Sequence, residues 1–355
     1  MPTAIPKIGS RVALRIVTIV VAGLLWSCAE SSFRGANKTA TKPTVKPQGG
    51  EDANPKDPTR GEQEFELSQS AGKVDMVWLI DTSGSMREEA AHVQSNFSSF
   101  AATLSSRANT RIALIAASSG RGRIGVDFGS SSSITQHRIA VGSTNALAIA
   151  AAATCAAGTS SGGSSGSGIF GGESSASICG QNIGDVENGR AIGEAAGKLA
   201  DFFREDAKSV FVIVTDDNAR GVTSSNFTNL IANSRGGQTP TLYAFRGRQS
   251  RPNCEVARVG TDYESLASST GGAVFDICDS DWSPNFASLG TAVAELANTS
   301  FVLDGDVTRI VRVTIDGRKL EPSDYTLSGS SLTINKGTVS AEAKTLKVVY
   351  DKAPE

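Results

Sequence analysis

The sequence predicts an α/β fold: a doubly wound, mostly parallel sheet with helices on both faces, followed by a small C-terminal antiparallel β module. The first observation is a nearly unbroken apolar run of strand length at residues 74–80, which is typical of a strand covered on both faces. The second is a repeated alternation of strand-like and helix-like segments between residues 73 and 300. The third is a change to two-residue periodicity after residue 300, which indicates antiparallel strands.

The strand-like and helix-like segments of the larger domain follow one another in regular order. In the first helical segment, Ala90, Val93, Phe97, Phe100 and Leu104 recur at near-helical spacing. A Gly-Gly pair suits the end of a later helix, at residues 271–272. The predicted strands cover 74–80, 110–117, 133–141 at an edge, 211–214, 240–245 and 273–278, and the predicted helices cover 86–108, 145–153, 186–203, 225–232, 263–269 and 283–298.

The last part of the chain, residues 301–355, has the pattern of a separate small module. Val311, Val313 and Ile315 fall on one side of an alternating strand, and Asp316-Gly317 is a hairpin turn signal. About four antiparallel strands are expected. Because so short a β unit is marginally stable alone, we expect it to pack on the larger domain, which spans residues 71–300.

Oxygen side chains follow the first strand of the larger domain. Asp81, Ser83 and Ser85 alternate through a loop of small residues at the carboxyl end of this strand. In open α/β sheets, ligands bind at that end. One carboxylate and two hydroxyls suit a hard divalent cation, and they leave it under-coordinated and still positively charged. Such a site can capture an acidic group of a partner.

The D-x-S-x-S pattern at Asp81, Ser83 and Ser85 resembles the first motif of the von Willebrand factor type A domain, at its metal-ion-dependent adhesion site. The strand at 211–214 ends in Thr215-Asp216-Asp217, which is similar to the last metal motif of that family, T-D-G, with Asp217 in place of Gly. The resemblance covers residues 73–300. It implies that Asp216 takes a metal position, directly or in the outer shell, and that a protein partner supplies an acidic side chain.

The middle motif of the family, a Thr at the start of the helix before the T-D strand, has no match at the expected place. Residues 185–189 contain no Thr. Glu187 or Asn188 substitutes for it, or Thr144 from an earlier loop does, or the site is incomplete. A Glu would favour Ca²⁺ over Mg²⁺, so both ions are candidate cofactors.

The amino terminus has the features of a secretory signal at residues 1–27, where basic residues precede an apolar run at 16–26. That run is too short to span a bilayer. The sequence Leu25-Trp26-Ser27-Cys28 resembles a bacterial lipobox, although Trp26 replaces the usual small residue. The resemblance implies cleavage before Cys28 and a lipid on Cys28. Because Ala29 rather than Asp follows, the expected location is the outer membrane, facing the periplasm or the cell surface.

Residues 28–70 are polar and almost devoid of large apolar side chains, which predicts a disordered linker behind the lipidated cysteine. A second polar stretch, at residues 155–179, is a Ser/Gly-rich loop bounded by cysteines.

The chain has five cysteines, and assigning Cys28 to a lipid leaves an even number for disulfides in an exported protein. Four cysteines allow three pairings. We favour Cys155 with Cys179 and Cys254 with Cys278, because each pair closes a local loop.

The composition of the chain argues against several classes of function. The net charge is −2 and no basic stripe is present, which argues against nucleic acid as a partner. The only histidines are His92 and His137, which makes a catalytic histidine or a histidine-based zinc site unexpected. We expect metal-dependent binding of another protein and no enzymatic activity. The alternatives are a structural module with a vestigial metal site and, less favoured, a hydrolytic enzyme.

Overall fold

The computed structural model of the chain describes residues 60–67, 72–118, 123–129, 131–163, 173–335, 338–340 and 343–353. The predicted signal segment and Cys28 lie outside these ranges. Within them, no helix is at once long enough and apolar enough to cross a bilayer.

The described ranges contain sixteen strands and six α-helices. The strands are β1 (Arg60–Glu66), β2 (Lys73–Ile80), β3 (Asn109–Ala116), β4 (Ile134–Arg138), β5 (Ser161–Gly162), β6 (Glu173–Ile178), β7 (Gln181–Glu187), β8 (Lys208–Thr215), β9 (Thr241–Arg246), β10 (Val274–Asp276), β11 (Ser300–Val302), β12 (Val307–Ile315), β13 (Arg318–Lys319), β14 (Tyr325–Ser328), β15 (Ser331–Ile334) and β16 (Thr345–Lys352). The helices are α1 (Arg87–Ser105), α2 (Ala146–Thr154), α3 (Gly189–Ala195), α4 (Ser224–Ser234), α5 (Thr261–Ser269) and α6 (Ser283–Thr299).

A six-stranded sheet in the order β10-β9-β8-β2-β3-β4 forms the centre of the larger domain. All its neighbouring strands pair in parallel. Numbered by position in the chain, its strands run 3-2-1-4-5-6 from the β4 edge, which is the doubly wound order. The fold class predicted from the sequence is therefore confirmed.

Alternate side chains of β2 enter two separate cores, one on each face of the sheet. Val77 and Leu79 pack with residues of α2, α3, α4 and α5. Met76, Trp78 and Ile80 pack with residues of α1 and α6. All five side chains are fully buried. The unbroken apolar run in β2 thus reflects burial on both faces, and it anchors the loop that follows at the centre of the sheet.

The acidic residue inside this apolar strand, Asp75, is fully buried and ion-paired. Its Oδ1 accepts a hydrogen bond from Arg204 Nε at 2.9 Å and lies 2.7 Å from Arg204 Nη2. A planar guanidinium that donates twice to one carboxylate compensates for much of the desolvation of the charge. Asp75 therefore belongs to the framework and not to the candidate site.

The segment between α2 and β8 differs from the prediction. A helix was predicted over 186–203, but the chain forms strand β7 up to Glu187 and only the short helix α3 afterwards. Asn188 adopts the left-handed conformation, with φ 51°, and this turn separates strand from helix. Within the Ser/Gly-rich stretch predicted to be a loop, β6 pairs with β5 on one side and with β7 on the other, in a three-stranded antiparallel sheet.

Both predicted disulfides are present. The Cα atoms are 5.4 Å apart in Cys155–Cys179 and 5.6 Å apart in Cys254–Cys278. The first joins the end of α2 to the β6–β7 turn, and the second joins the loop after β9 to the residues after β10. Each bond therefore ties a connection next to the central sheet.

The C-terminal module is a sandwich of two antiparallel sheets, in the orders β1-β16-β12-β13 and β11-β15-β14. Residues from both sheets form one core, which includes Val313, Leu332, Leu346 and Val348. The two-residue periodicity predicted antiparallel strands here, and the described strands are more numerous than the four expected.

The N-terminal strand of this sandwich corrects the linker prediction. Residues 60–66 were placed in a disordered linker, but they form β1 and pair along their whole length with β16. Phe65 supplies the apolar contact, with its ring centroid 5.1 Å from that of Phe301. The local composition did not predict this strand, because its hydrogen-bonding partner β16 lies far away in the sequence.

The sandwich packs on the amino-terminal ends of the central strands. Lys208, at the start of β8, donates from Nζ to Ser331 Oγ in β15 at 2.6 Å. Thr239 Oγ1 and Ser328 Oγ are 2.7 Å apart in the same contact. Lys208 is 6% exposed, and this burial lowers its pKa to about 8. The interface therefore buries the ammonium group of Lys208, whose charged form is less favourable there than in water.

We expect the folding free energy to depend on the charge of Lys208. In the unfolded chain its pKa returns to about 10.5, so between about pH 8 and pH 10.5 the unfolded state binds a proton that the folded state lacks. Relative to Lys208→Met, the wild type should therefore gain stability as pH rises through this window, measured by urea unfolding at pH 7.5 and pH 10. Lys319→Met, at an exposed position of β13, is the control and should leave the pH dependence of wild type unchanged. Identical pH dependence in wild type and Lys208→Met would contradict the assignment.

Candidate functional site

The two strands that carry the predicted site motifs are neighbours at the centre of the sheet. Strand β2 pairs with β8, and Asp81 N donates to Val214 O at 2.9 Å just beyond the paired residues. The chain proceeds from β2 toward one edge of the sheet and from β8 toward the other. Asp81 and Asp216 therefore follow the two strands that flank the topological switch point, where open α/β sheets bind ligands.

The loop after β2 curls so that its oxygen side chains converge. Asp81 is fully buried, and its Oδ1 accepts a hydrogen bond from Ser83 N at 2.8 Å. The hydroxyl oxygens of Ser83 and Ser85 are 3.1 Å apart. Ser85 is exposed, so the loop presents a buried carboxylate beneath hydroxyls that open toward solvent.

The carboxylates of Asp81 and Asp216 both have raised pKa values. Burial, with a further contribution from the charge of Asp216, raises the pKa of Asp81 to about 7. The pKa of Asp216 is also raised, mainly by burial, and a hydrogen bond from the Ser85 side chain partly offsets this. Asp216 is 4% exposed, and its buried Oδ1 has no hydrogen-bond partner. The pocket thus contains two desolvated acids and one unsatisfied oxygen.

Thr215 joins the two motif loops to a third loop. Its Oγ1 lies 3.1 Å from Asp81 Oδ2 and 3.2 Å from the backbone oxygen of Ser143. Thr144, the next residue, is buried. Its side chain donates to Glu187 Oε2 at 2.8 Å. Two of the residues considered for the middle motif, Thr144 and Glu187, are therefore in direct contact with each other, and they are linked to Asp81 through Ser143 and Thr215.

The residues present fit a divalent cation of hard character. Two buried carboxylates with raised pKa values and an unsatisfied oxygen would gain from a positive charge between them. Glu89 in α1 adds a second buried oxygen without a hydrogen-bond partner, Oε2. The pKa of Glu89 is raised mainly by burial and further by the charge of Asp216. Across the described ranges, no group of three or more His, Cys, Asp or Glu side chains is arranged to hold a metal ion. A cation here would therefore depend on hydroxyl ligands.

Sequence reasoning missed the roles of Thr215 and Glu89. Thr215 was noted only as part of the T-D motif, and its contact with Asp81 depends on the pairing of β2 with β8. Glu89 lies in the first turn of α1, where an acid is expected to complement the helix dipole, so nothing in the sequence marks it as part of a site.

Removing the charge of Asp81 should stabilise the cation-free protein. In Asp81→Asn, the side-chain oxygen can still accept from Ser83 N, while the new amide can donate to Thr215 Oγ1. We expect the free energy of unfolding in EDTA at pH 8 to rise by about 1–2 kcal/mol, the size typical of relieving a functional site of its strain. Asp185→Asn, at an exposed position of β7, should change it by less than about 0.5 kcal/mol. If urea unfolding shows that Asp81→Asn is less stable than wild type, the charge of Asp81 does not destabilise the cation-free protein.

Comparisons with known proteins add little to this geometry. No protein-family model and no curated protein matches the chain. Among solved structures, the chain is similar to von Willebrand factor type A from Catenulispora acidiphila, with 13% identity and a TM-score of 0.29 over 84% of this chain. The chain spans 66% of the length of that protein. The strand order shows a doubly wound α/β domain, and the two motifs lie on adjacent strands of its sheet.

Proposed function

We propose that this protein is a cell-envelope lipoprotein that binds another protein through a divalent cation held by Asp81, Ser83, Ser85 and Asp216. The observation that carries the proposal is the pair of buried carboxylates at the switch point, together with a buried Oδ1 of Asp216 that has no hydrogen-bond partner. Buried acids are costly unless charged or hydrogen-bonding groups compensate for them, and a bound cation would do so.

The ligand set favours capture of an acidic side chain. Hydroxyl ligands are neutral, so they leave part of the charge of Mg²⁺ or Ca²⁺ uncompensated. Ser85 is exposed beside the buried Asp81, which leaves an approach from solvent. A carboxylate from a partner would complete the coordination shell and neutralise the remaining charge.

Binding rather than catalysis is the activity that we propose. His92 stacks on Trp282 at 5.3 Å between ring centroids, and His137 lies in the edge strand β4. Neither histidine is on the loops that carry Asp81 and Asp216. We therefore do not propose the pair of a nucleophile and a histidine base that many hydrolases use.

Cation uptake is the first test. Wild type should bind one Mg²⁺, Ca²⁺ or Mn²⁺ in calorimetry, and Asp81→Ala and Asp216→Ala should weaken binding by at least about tenfold because each removes an anionic ligand or its support. Glu64→Ala is the control, at an exposed carboxylate of β1 outside the site. Equal uptake by all four proteins would refute the site. No uptake by any of them would favour the vestigial alternative.

Whether the bound cation keeps an open coordination position can be measured directly in the same proteins. Water bound to Mn²⁺ enhances the relaxation of bulk water protons, and acetate or a glutamate-containing peptide should reduce this enhancement by displacing the water. Acetamide and the matching glutamine peptide are the controls and should not. Equal effects of the acid and the amide would argue against recognition of a carboxylate.

The lipid anchor is tested separately. If Cys28 carries the lipid, Cys28→Ser should move the protein from the membrane fraction to the soluble fraction and should abolish labelling by fatty acid. A membrane-bound variant, together with a wild type that incorporates no fatty acid, would show that the lipobox resemblance is misleading.

A further inference from the structure

We propose that Glu187 is a positioning residue that orients the Thr144 hydroxyl toward the cation, so that the β5–β7 hairpin sheet becomes part of the metal site. This inference rests on the proposed function, since it concerns the same cation. It also chooses among the residues that the sequence left open, because it assigns the contact with the cation to Thr144 and the support to Glu187.

The hydrogen bonds to one oxygen of Glu187 carry the inference. Glu187 Oε2 accepts from the backbone nitrogen of Thr144 at 2.9 Å and from its hydroxyl at 2.8 Å. A threonine hydroxyl has a single proton to donate. With that proton directed to Glu187, only the lone pairs of Thr144 Oγ1 remain, and these are what a hard cation requires. Two donors also occupy Oε2 of Glu187, which disfavours that oxygen as a direct ligand.

The loop before α2 is built around the end of β7. Asn145 Nδ2 donates to the backbone oxygen of Glu187 at 2.8 Å, and Asn145 Oδ1 accepts from Gly142 N at 2.9 Å. A side chain at position 142 would overlap the carboxylate of Glu187. Glycine at this position therefore lets the carboxylate lie against the loop, and Glu187 is fixed by contacts from both its side chain and its backbone.

The same loop touches both motif loops of the candidate site. The backbone oxygen of Ser143 lies 3.2 Å from Thr215 Oγ1, which is 3.1 Å from Asp81 Oδ2. The backbone oxygen of Thr144 accepts from Arg220 N, in the loop that follows Asp216, at 2.9 Å. Thr144 is thus held between Glu187 on one side and the T-D loop on the other, next to the group that touches Asp81.

The hairpin that supplies Glu187 is anchored at its other end. Strand β7 pairs with β6 from Gln181 to Glu187, and the Cys155–Cys179 disulfide ties the β6–β7 turn to the end of α2. Helix α2 begins directly after the loop that holds Thr144. Hairpin, helix and loop therefore form one closed unit, in which the position of Glu187 determines the orientation of Thr144. Ligands of metal ions are commonly oriented in this way by residues that do not touch the ion.

Two substitutions at position 187 separate positioning from direct ligation. Glu187→Gln keeps an oxygen that can accept both hydrogen bonds from Thr144 but removes the charge, so its affinity for Mg²⁺ should stay within about threefold of wild type in calorimetry. Glu187→Ala removes the acceptor, and its affinity should fall by about 10- to 100-fold. In EDTA, the amide of Thr144 should also exchange faster in Glu187→Ala than in wild type. Glu194→Ala, on the exposed side of α3, is the control and should behave as wild type.

A second pair of variants keeps the test valid if Glu187→Ala fails to fold. Thr144→Val removes only the hydroxyl and should weaken Mg²⁺ binding as much as Glu187→Ala, whereas Thr144→Ser should restore most of it. In a double-mutant cycle, Thr144→Val combined with Glu187→Ala should cost no more than either change alone.

Three results would overturn the inference. If Glu187→Gln binds Mg²⁺ as weakly as Glu187→Ala, the charge matters and Glu187 is itself a ligand. If Glu187→Ala binds Mg²⁺ as wild type does, no positioning takes place. If wild type binds no cation, the proposed function fails and the role of Glu187 toward a cation fails with it, while the exchange rate of the Thr144 amide still shows whether Glu187 holds the loop.

Discussion

The carboxylates of Asp81 and Asp216 share a desolvated pocket at the ends of two adjacent strands, and the arrangement around them follows from that electrostatic conflict. Burial raises the pKa of both carboxylates, the charge of Asp216 adds to the shift at Asp81, and both groups must be satisfied by donors or by a cation. Ser83, Ser85 and Thr215 supply hydroxyl and amide donors to them. These donors satisfy part of the acceptor capacity and leave one oxygen of Asp216 without a partner. The site is therefore a costly feature of the cation-free protein.

The central sheet tolerates this cost because the strands beneath the site are packed on both faces. Trp78 lies at the centre of one core, with ring centroids of Phe100 and Phe286 at 5.5 and 5.6 Å. Side chains held in such a core have little freedom to relax, so the loop after β2 starts from a fixed position. Rigid strands with polar loops at their carboxyl ends let an unfavourable arrangement of charge persist in a folded protein.

Local patterns predicted most of the fold, and they placed Asp81 and Asp216 at the ends of two apolar strands that the structure pairs. The apolar run before Asp81 and the strand before Asp216 were visible because burial on both faces leaves a continuous apolar signature. The contact between Thr144 and Glu187 was not, because it joins residues 43 positions apart through a hairpin with no apolar alternation. The helix predicted over 186–203 failed because one left-handed residue redirects the chain there. Strand β1 was missed since its partner β16 lies near the other end of the sequence.

The pairing of β1 with β16 has a mechanical consequence. Any tension carried by the chain before residue 60 reaches the folded part at Arg60, whose Nε donates to Asp351 at 3.1 Å. Asp351 also accepts from Arg309 Nε at 3.0 Å, so the first contact to be loaded is an ionic cluster of three residues on three strands. Pulling from this end would open β1 one residue at a time and would expose the sandwich core under Phe65 before any force reached the central sheet. The first part of the fold to be loaded from this end is therefore the pairing of β1 with β16, and not the loops that carry Asp81 and Asp216.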